Sequence, residues 1–269
     1  MTITAPAAPV RTTSAHRLTF VRALRSEWIK LATLRSTWWS IGITAFITIG
    51  MALLVAQSMN IPGFAPIQSV VTPVQFTMLL AGILGAIAVT GEYSTGMIRS
   101  TLTAAPVRGF VLAAKAIVVA LFLFIASLII SFTAALAVTP IFASREVPFQ
   151  WDTPSESFLP ILAAAVSMAV VAVLGVSFGF ILRSGAGAIA ATVGLLFVMP
   201  IVMSIFATTD PAWQWINEVA YRLPLSAAQS AILPQSEAGL DAGGAYLTLA
   251  VWAAAGLASA WAVLRTRDA

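Results

Sequence analysis

Six apolar runs recur along the chain, and the charged, proline and glycine residues gather in the stretches between them. They cover about 38–59, 70–90, 116–138, 160–182, 186–208 and 244–264, each close to the roughly 20 residues that a helix needs to cross a bilayer. The first opens on Trp38 and Trp39, suited to the membrane interface, and is longer than the apolar segment of a signal peptide. Asn60, Pro62, Gly63 and Pro66 predict a turn, and Pro73 falls near the start of the second run, where proline does least harm. Lys115 stands at the start of the third run, where its stem can lie in the apolar layer while the ammonium snorkels out. Residues 140–159 then predict an outer loop with Glu146, Asp152 and Glu156 against Arg145. Arg183 to Gly185 form a short turn between runs four and five, and Pro200 predicts a kink in the fifth. Residues 209–243 contain PAWQWINEVAYRLP and LSAAQSAILP, too short and too mixed to span, and predict a re-entrant or interfacial helical pair.

Two polar segments interrupt this picture. Residues 1–16, rich in Ala, Pro and Thr without apolar periodicity, predict a disordered tail. Over residues 17–36, Phe20, Leu24, Trp28, Leu31 and Leu34 share one face of a helix and Arg22, Arg25 and Lys30 lie away from it. That pattern predicts a helix in the membrane interface with Trp28 at headgroup depth; the plainer alternative is a basic flank of the first span. Glu27 is the exception, projecting near the apolar face, either to pair with Lys30 or to meet a protein neighbour. The second segment, 91–115, reads GEYSTGMIRSTLTAAPVRGFVLAAK. Tyr93, Ser94, Thr95 and Gly96 are poor helix-centre residues, whereas Met97, Ile98, Thr101, Leu102 and Ala105 predict a short helix with one apolar side, stopped by Pro106. Glu92 lies outside the second run, so neutralising it is expected to leave membrane insertion intact.

Composition agrees with the pattern: 59% of residues are hydrophobic, 9% are charged and the mean hydropathy is +0.96, which describes an all-α integral membrane protein of six spans. Charge sets the orientation. Arg11, Arg17, Arg22, Arg25, Lys30, Arg35, Arg99, Arg108, Lys115, Arg183, Arg265 and Arg267 lie on one side of the predicted membrane, and only Arg145 and Arg222 on the other. The positive-inside rule then puts both termini in the cytoplasm. The basic balance thus reflects topology and not nucleic-acid binding. Abundant alanine and arginine hint at a GC-rich bacterial genome, hence a bacterial cell membrane.

Several chemistries lack their residues. No cysteine is present and the lone His16 lies in the tail, so a histidine triad or a Cys/His zinc site has nothing to use. No predicted span holds an ionisable residue, which disfavours a proton-coupled carrier and an aspartyl membrane protease. No phosphate loop occurs, since Lys30 and Lys115 follow Ile29 and Ala114. The chain is therefore expected not to be an enzyme and to need no metal or cofactor; work it performs must be powered by another subunit. Gly82, Gly85, the pair Gly175 and Gly179, and Ser127, Ser131, Ser177, Thr192 and Ser204 are read as helix packing.

The pattern E-Y-x-x-G-M-x-x-x-x-L-x-A-x-P-V-R-x-x-x-x-x-A-K, preceded by SEWIKLATLRSTWW and two spans, resembles the membrane subunit of type-2 ATP-binding-cassette (ABC) transporters. The resemblance covers nearly the whole chain and extends to the long outer segment before the last span. It implies an exporter-like permease, a half-transporter that pairs with itself or a relative and is driven by two copies of a cytoplasmic ATPase. Residues 91–115 would hold the coupling helix, with Glu92, Gly96, Pro106, Val107 and Arg108 at the family's recurrent positions and Tyr93, Met97, Ile98, Arg99 and Leu102 beside them. Met97 departs from the family's frequent threonine, and Pro106-Val-Arg108 lacks the usual serine. The rivals are a secondary carrier, a membrane enzyme and a passive anchor, immunity or assembly protein.

Overall fold

The computed structural model describes residues 19–59, 61, 63–104, 108–206, 213–233 and 239–266. Every regular element among them is helical, and six helical segments are long and apolar enough to cross a membrane: Arg35–Ser58, Pro66–Ser94, Arg108–Ala143, Phe158–Leu182, Gly185–Ile205 and Ala242–Thr266. This is a multi-pass membrane architecture. The tail 1–16 and the loop positions Ala105, Pro106 and Val107 lie outside the described residues.

The first described helix, α1 (Phe20–Thr33), breaks at the extended Leu34 and continues as α2 (Arg35–Ser58). The Trp38 indole donates to the Ala32 carbonyl at 2.9 Å and closes this elbow. Part of the apolar side of α1 packs within the protein, whereas Trp28 and Leu34 on that side remain exposed. Phe20 meets Phe110 edge-on with centroids 5.6 Å apart, Trp28 and Trp38 both meet Phe122, and Leu31 is buried. An apolar stripe suits a neighbouring helix as well as it suits lipid.

The second span divides into α3 (Pro66–Val71) and α4 (Val74–Ser94) around Thr72 and Pro73. α4 continues through Tyr93 and Ser94, beyond the predicted boundary at Thr90, and stops because Gly96 adopts a left-handed φ of 72°. The short α5 (Met97–Ala104) follows. Next comes α6 (Arg108–Ala143), which begins eight residues before the predicted third span and carries Pro140 within its last turn instead of starting a loop there. Near a C-terminus proline removes only one ladder bond, and the Pro140 carbonyl still accepts from the Ser144 amide.

At the centre of the bundle is α7 (Phe158–Leu182), packed against α4, α6 and the final helix α12 (Ala242–Thr266). The α4–α7 crossing is a backbone-to-backbone contact: a Cβ on Gly175 would overlap the Gly82 carbonyl, and one on Gly85 would overlap the Ala172 carbonyl. The fifth span joins α8 (Gly185–Val193) to α9 (Met199–Ile205) through a π-helical stretch, Gly194–Val198. Pro200 has no amide to give the Leu196 carbonyl, and the wider π turn directly before it accommodates that mismatch. The predicted re-entrant segment contains α10 (Gln214–Tyr221) and α11 (Pro224–Ile232); α11 packs on α7 and α12, and the Trp252 indole donates to the Arg222 carbonyl at 2.7 Å.

Arg145 closes the end of the bundle that holds α3. Its guanidinium donates to the carbonyls of Ala56, Gln57 and Met59 at 2.6, 2.9 and 3.0 Å, satisfying the C-terminus of α2. A cation in that position complements the helix dipole. Arg145→Ala is expected to destabilise the protein by roughly 1–2 kcal/mol, read as a lower thermal midpoint in detergent, with Arg145→Lys recovering part of the loss.

Candidate functional site

Four charged side chains converge where α1, α4 and α6 meet. Glu27 comes from the inward face of α1, Glu92 from the last turn of α4, and Lys115 from about 10 Å along α6, seven residues after its start. The residues are 6%, 3% and 2% exposed, so three full charges are withdrawn from solvent together. Lys30, half-buried on α1, completes the set.

The geometry is a closed ring of ion pairs. Lys30 Nζ donates to Glu27 Oε1 at 2.7 Å and to Glu92 Oε1 at 2.9 Å. Lys115 Nζ donates to Glu92 Oε1 at 2.7 Å, to Glu27 Oε2, and to the Ala88 carbonyl at 3.1 Å. Each carboxylate therefore serves both ammonium groups, and the formal charges cancel. Burial alone would lower the Lys30 pKa, but hydrogen bonds and attraction from Glu27 and Glu92 outweigh it and hold the group above its ordinary 10.5, so Lys30 is protonated at neutral pH. Thr101 on α5 reaches Glu92 Oε2 at 3.5 Å, bringing the short helix to the same cluster.

These contacts overturn several expectations. The helices extend past the predicted apolar runs 70–90 and 116–138, so that α4 also carries Glu92 and α6 also carries Lys115. Lys115 does not snorkel: two carboxylates and a carbonyl hold its ammonium inside. Lys30 turns toward the interior instead of lying with Arg22 and Arg25. Glu27 does both things considered for it, pairing with Lys30 and facing a neighbouring helix. Glu92, buried and fully engaged, presents no carboxylate to an outside partner.

The remaining candidates separate into inner and outer faces. Ile98 is buried and Leu102 half-buried against the core, whereas Met97 and Arg99 are exposed. Ile98 and Leu102 thus anchor α5 to its own bundle and are not free for a partner's groove. Tyr93 lies edge-on to Phe180, with the Arg183 guanidinium 5.5 Å from its ring centre. Arg108 opens α6 and donates to the Leu264 carbonyl at 2.7 Å, fastening α12 to the same end. On α1, Leu24 and Leu31 join the core, and Phe20 and Trp28 cover α6. Beside the ring lies a cavity of about 430 Å³ with Leu31, Ile87, Val118 and Val119 among its apolar walls.

Lys30 and Lys115, the chain's only lysines, stand outside the coupling-loop and interfacial-helix residues expected from the sequence. A signal was present: Lys115 sits in VLAAKAIVV, apolar on both sides, and Glu92 follows AIAVTG. Opposite charges at adjoining ends of antiparallel spans are natural partners. Comparison with known proteins supplies no further assignment: no family model matches the chain, and no curated protein matches it.

Proposed function

We propose that the chain is the permease subunit of a type-2 ABC transporter, an exporter half-transporter in the bacterial cell membrane with both termini cytoplasmic. It pairs with a second permease subunit and is driven by two copies of a separate ATPase. The observation that carries this reading is the construction of α5. One side is fixed to the bundle by Ile98 in the core and by Thr101 at Glu92, and the other, with Met97, Arg99, Ser100 and Thr103, is exposed. A short helix built in this way acts as a lever. Force applied to its free side passes through Glu92 to α1 and α6 at once, because Lys30 and Lys115 bridge them.

The buried charges also favour a second reading, a carrier driven by an ion gradient, since ionisable residues among membrane helices commonly serve as relays. Against it, each carboxylate is shared by two ammonium groups and the ring has no net charge, an arrangement for holding helices together more than for exchanging protons.

The deciding experiment is purification of the tagged chain from its own membranes, with nucleotide hydrolysis measured in proteoliposomes. A co-purifying ATPase subunit is expected. The exposed-face variant Met97→Asp with Arg99→Glu should lose that subunit while keeping the wild-type melting temperature. A wild-type preparation without ATPase, or a variant that retains it fully, would overturn the proposal.

A further inference from the structure

At the end of the bundle opposite the charge ring, the break between α3 and α4 faces α10 and α11 across an open cavity of about 410 Å³. That volume falls in the range of small-molecule sites. Its polar lining comes from Gln75, Tyr221, Ser226, Gln229 and Ser230, none of them charged. The buried side chains of Met78 and Ile232 supply an apolar wall.

Hydroxyls on these helices generally fold back onto the carbonyl four residues earlier: Thr90 onto Ala86, Ser177 onto Val173, Thr192 onto Ala188. Ser226 and Ser230, one turn apart on α11, make no hydrogen bond among the described residues, nor does the Tyr221 hydroxyl. Gln229 donates to Gln75 at 3.1 Å, a single bond that leaves both amides with spare donors and acceptors. The cavity therefore offers several uncommitted groups, each able to donate and to accept. A charged ligand would lose hydration there and find no counter-ion. An uncharged hydroxylated ligand would match every group.

We propose that this cavity binds the uncharged, hydroxyl-bearing head of an amphiphile, a glycosyl group, with the adjoining alkyl part against Met78 and Ile232. Ser226, Ser230 and the two glutamines take the sugar hydroxyls, and Tyr221 contributes a ring face together with its own hydroxyl. The site does not depend on the transport reading: it rests on the cavity and on its unengaged groups.

The absence of native cysteine makes a protection assay direct. Thr72, exposed at the rim, is a suitable reporter because its hydroxyl is already spent on the Gln68 carbonyl at 2.6 Å. Thr72→Cys in nanodiscs, where both faces are open, is labelled with a water-soluble maleimide in the presence of octyl glucoside below its micellar concentration. Labelling is expected to slow about threefold when the glucoside is at twice its dissociation constant, with no change for Ser155→Cys in the exposed loop before α7. Adding Ser226→Ala and Ser230→Ala to the reporter should abolish protection while leaving the unprotected rate as it was. No protection at 72, equal protection at 155, or equal protection by an octyl ammonium amphiphile would each overturn the proposal. Survival of protection in the double alanine variant would overturn it as well.

Discussion

Lys115→Met is expected to cost about 3–5 kcal/mol of stability, because removing one partner from a buried ion pair leaves an uncompensated charge. Here the loss strands Glu27 and Glu92 with Lys30 alone, and the burial of both carboxylates keeps water from substituting. Glu92→Gln should be damaging for the mirror-image reason, since Lys30 and Lys115 would then share only Glu27. The expected loss is one of packing stability and is separate from membrane insertion, which the sequence predicts to survive the change because Glu92 lies outside the second apolar run. The double variant, Lys115→Met with Glu92→Gln, keeps one acid and one base and should be clearly more stable than the sum of the singles implies. Thermal or denaturant unfolding of the four proteins in detergent measures the coupling. Strict additivity would mean that the two side chains do not interact.

Gly175→Val should leave little or no folded protein. A side chain at this position meets the Gly82 carbonyl of α4, which is backbone, so no rotamer change can make room and the two helices must separate along their length. Even Gly175→Ala is expected to cost at least about 1–3 kcal/mol, the ordinary penalty for overfilling a packed interior. Gly50→Ala is the internal control: on α2 a Cβ at that position meets nothing within 4 Å, and the change should be neutral. Detergent size-exclusion profiles and melting curves for the three variants separate a steric effect from a general intolerance of glycine replacement. Should the two alanine variants melt together, the close crossing of α4 and α7 would be refuted.

The α4–α7 crossing was legible in outline. Glycines spaced three and four apart in two spans announced close approach, and α4 and α7 meet through Gly82, Gly85, Gly175 and Gly179. Span boundaries were legible only to within a turn or two, because a helix continues past its apolar residues while its backbone bonds remain satisfied. Tyr93 and Ser94 extend α4 for that reason, and Arg108 to Lys115 extend α6. For α5, periodicity found the helix and its apolar residues but not what they touch. Met97 and Ile98 are adjacent and equally apolar, yet one is exposed and the other buried.

Hydropathy and charge distribution along the chain were sufficient for six membrane-length helices, an amphipathic α1 and a short helix between spans two and three, since each is a local property of twenty residues or fewer. The ring of Glu27, Lys30, Glu92 and Lys115 is not local: Lys30 and Glu92 are 62 positions apart, and Lys115 and Glu27 are 88. A charge near the end of an apolar run reads the same whether its side chain reaches for water or for a neighbouring helix. Only the tertiary structure decides between them, because placing α1 against α6 removes the water and supplies the opposite charge in the same step.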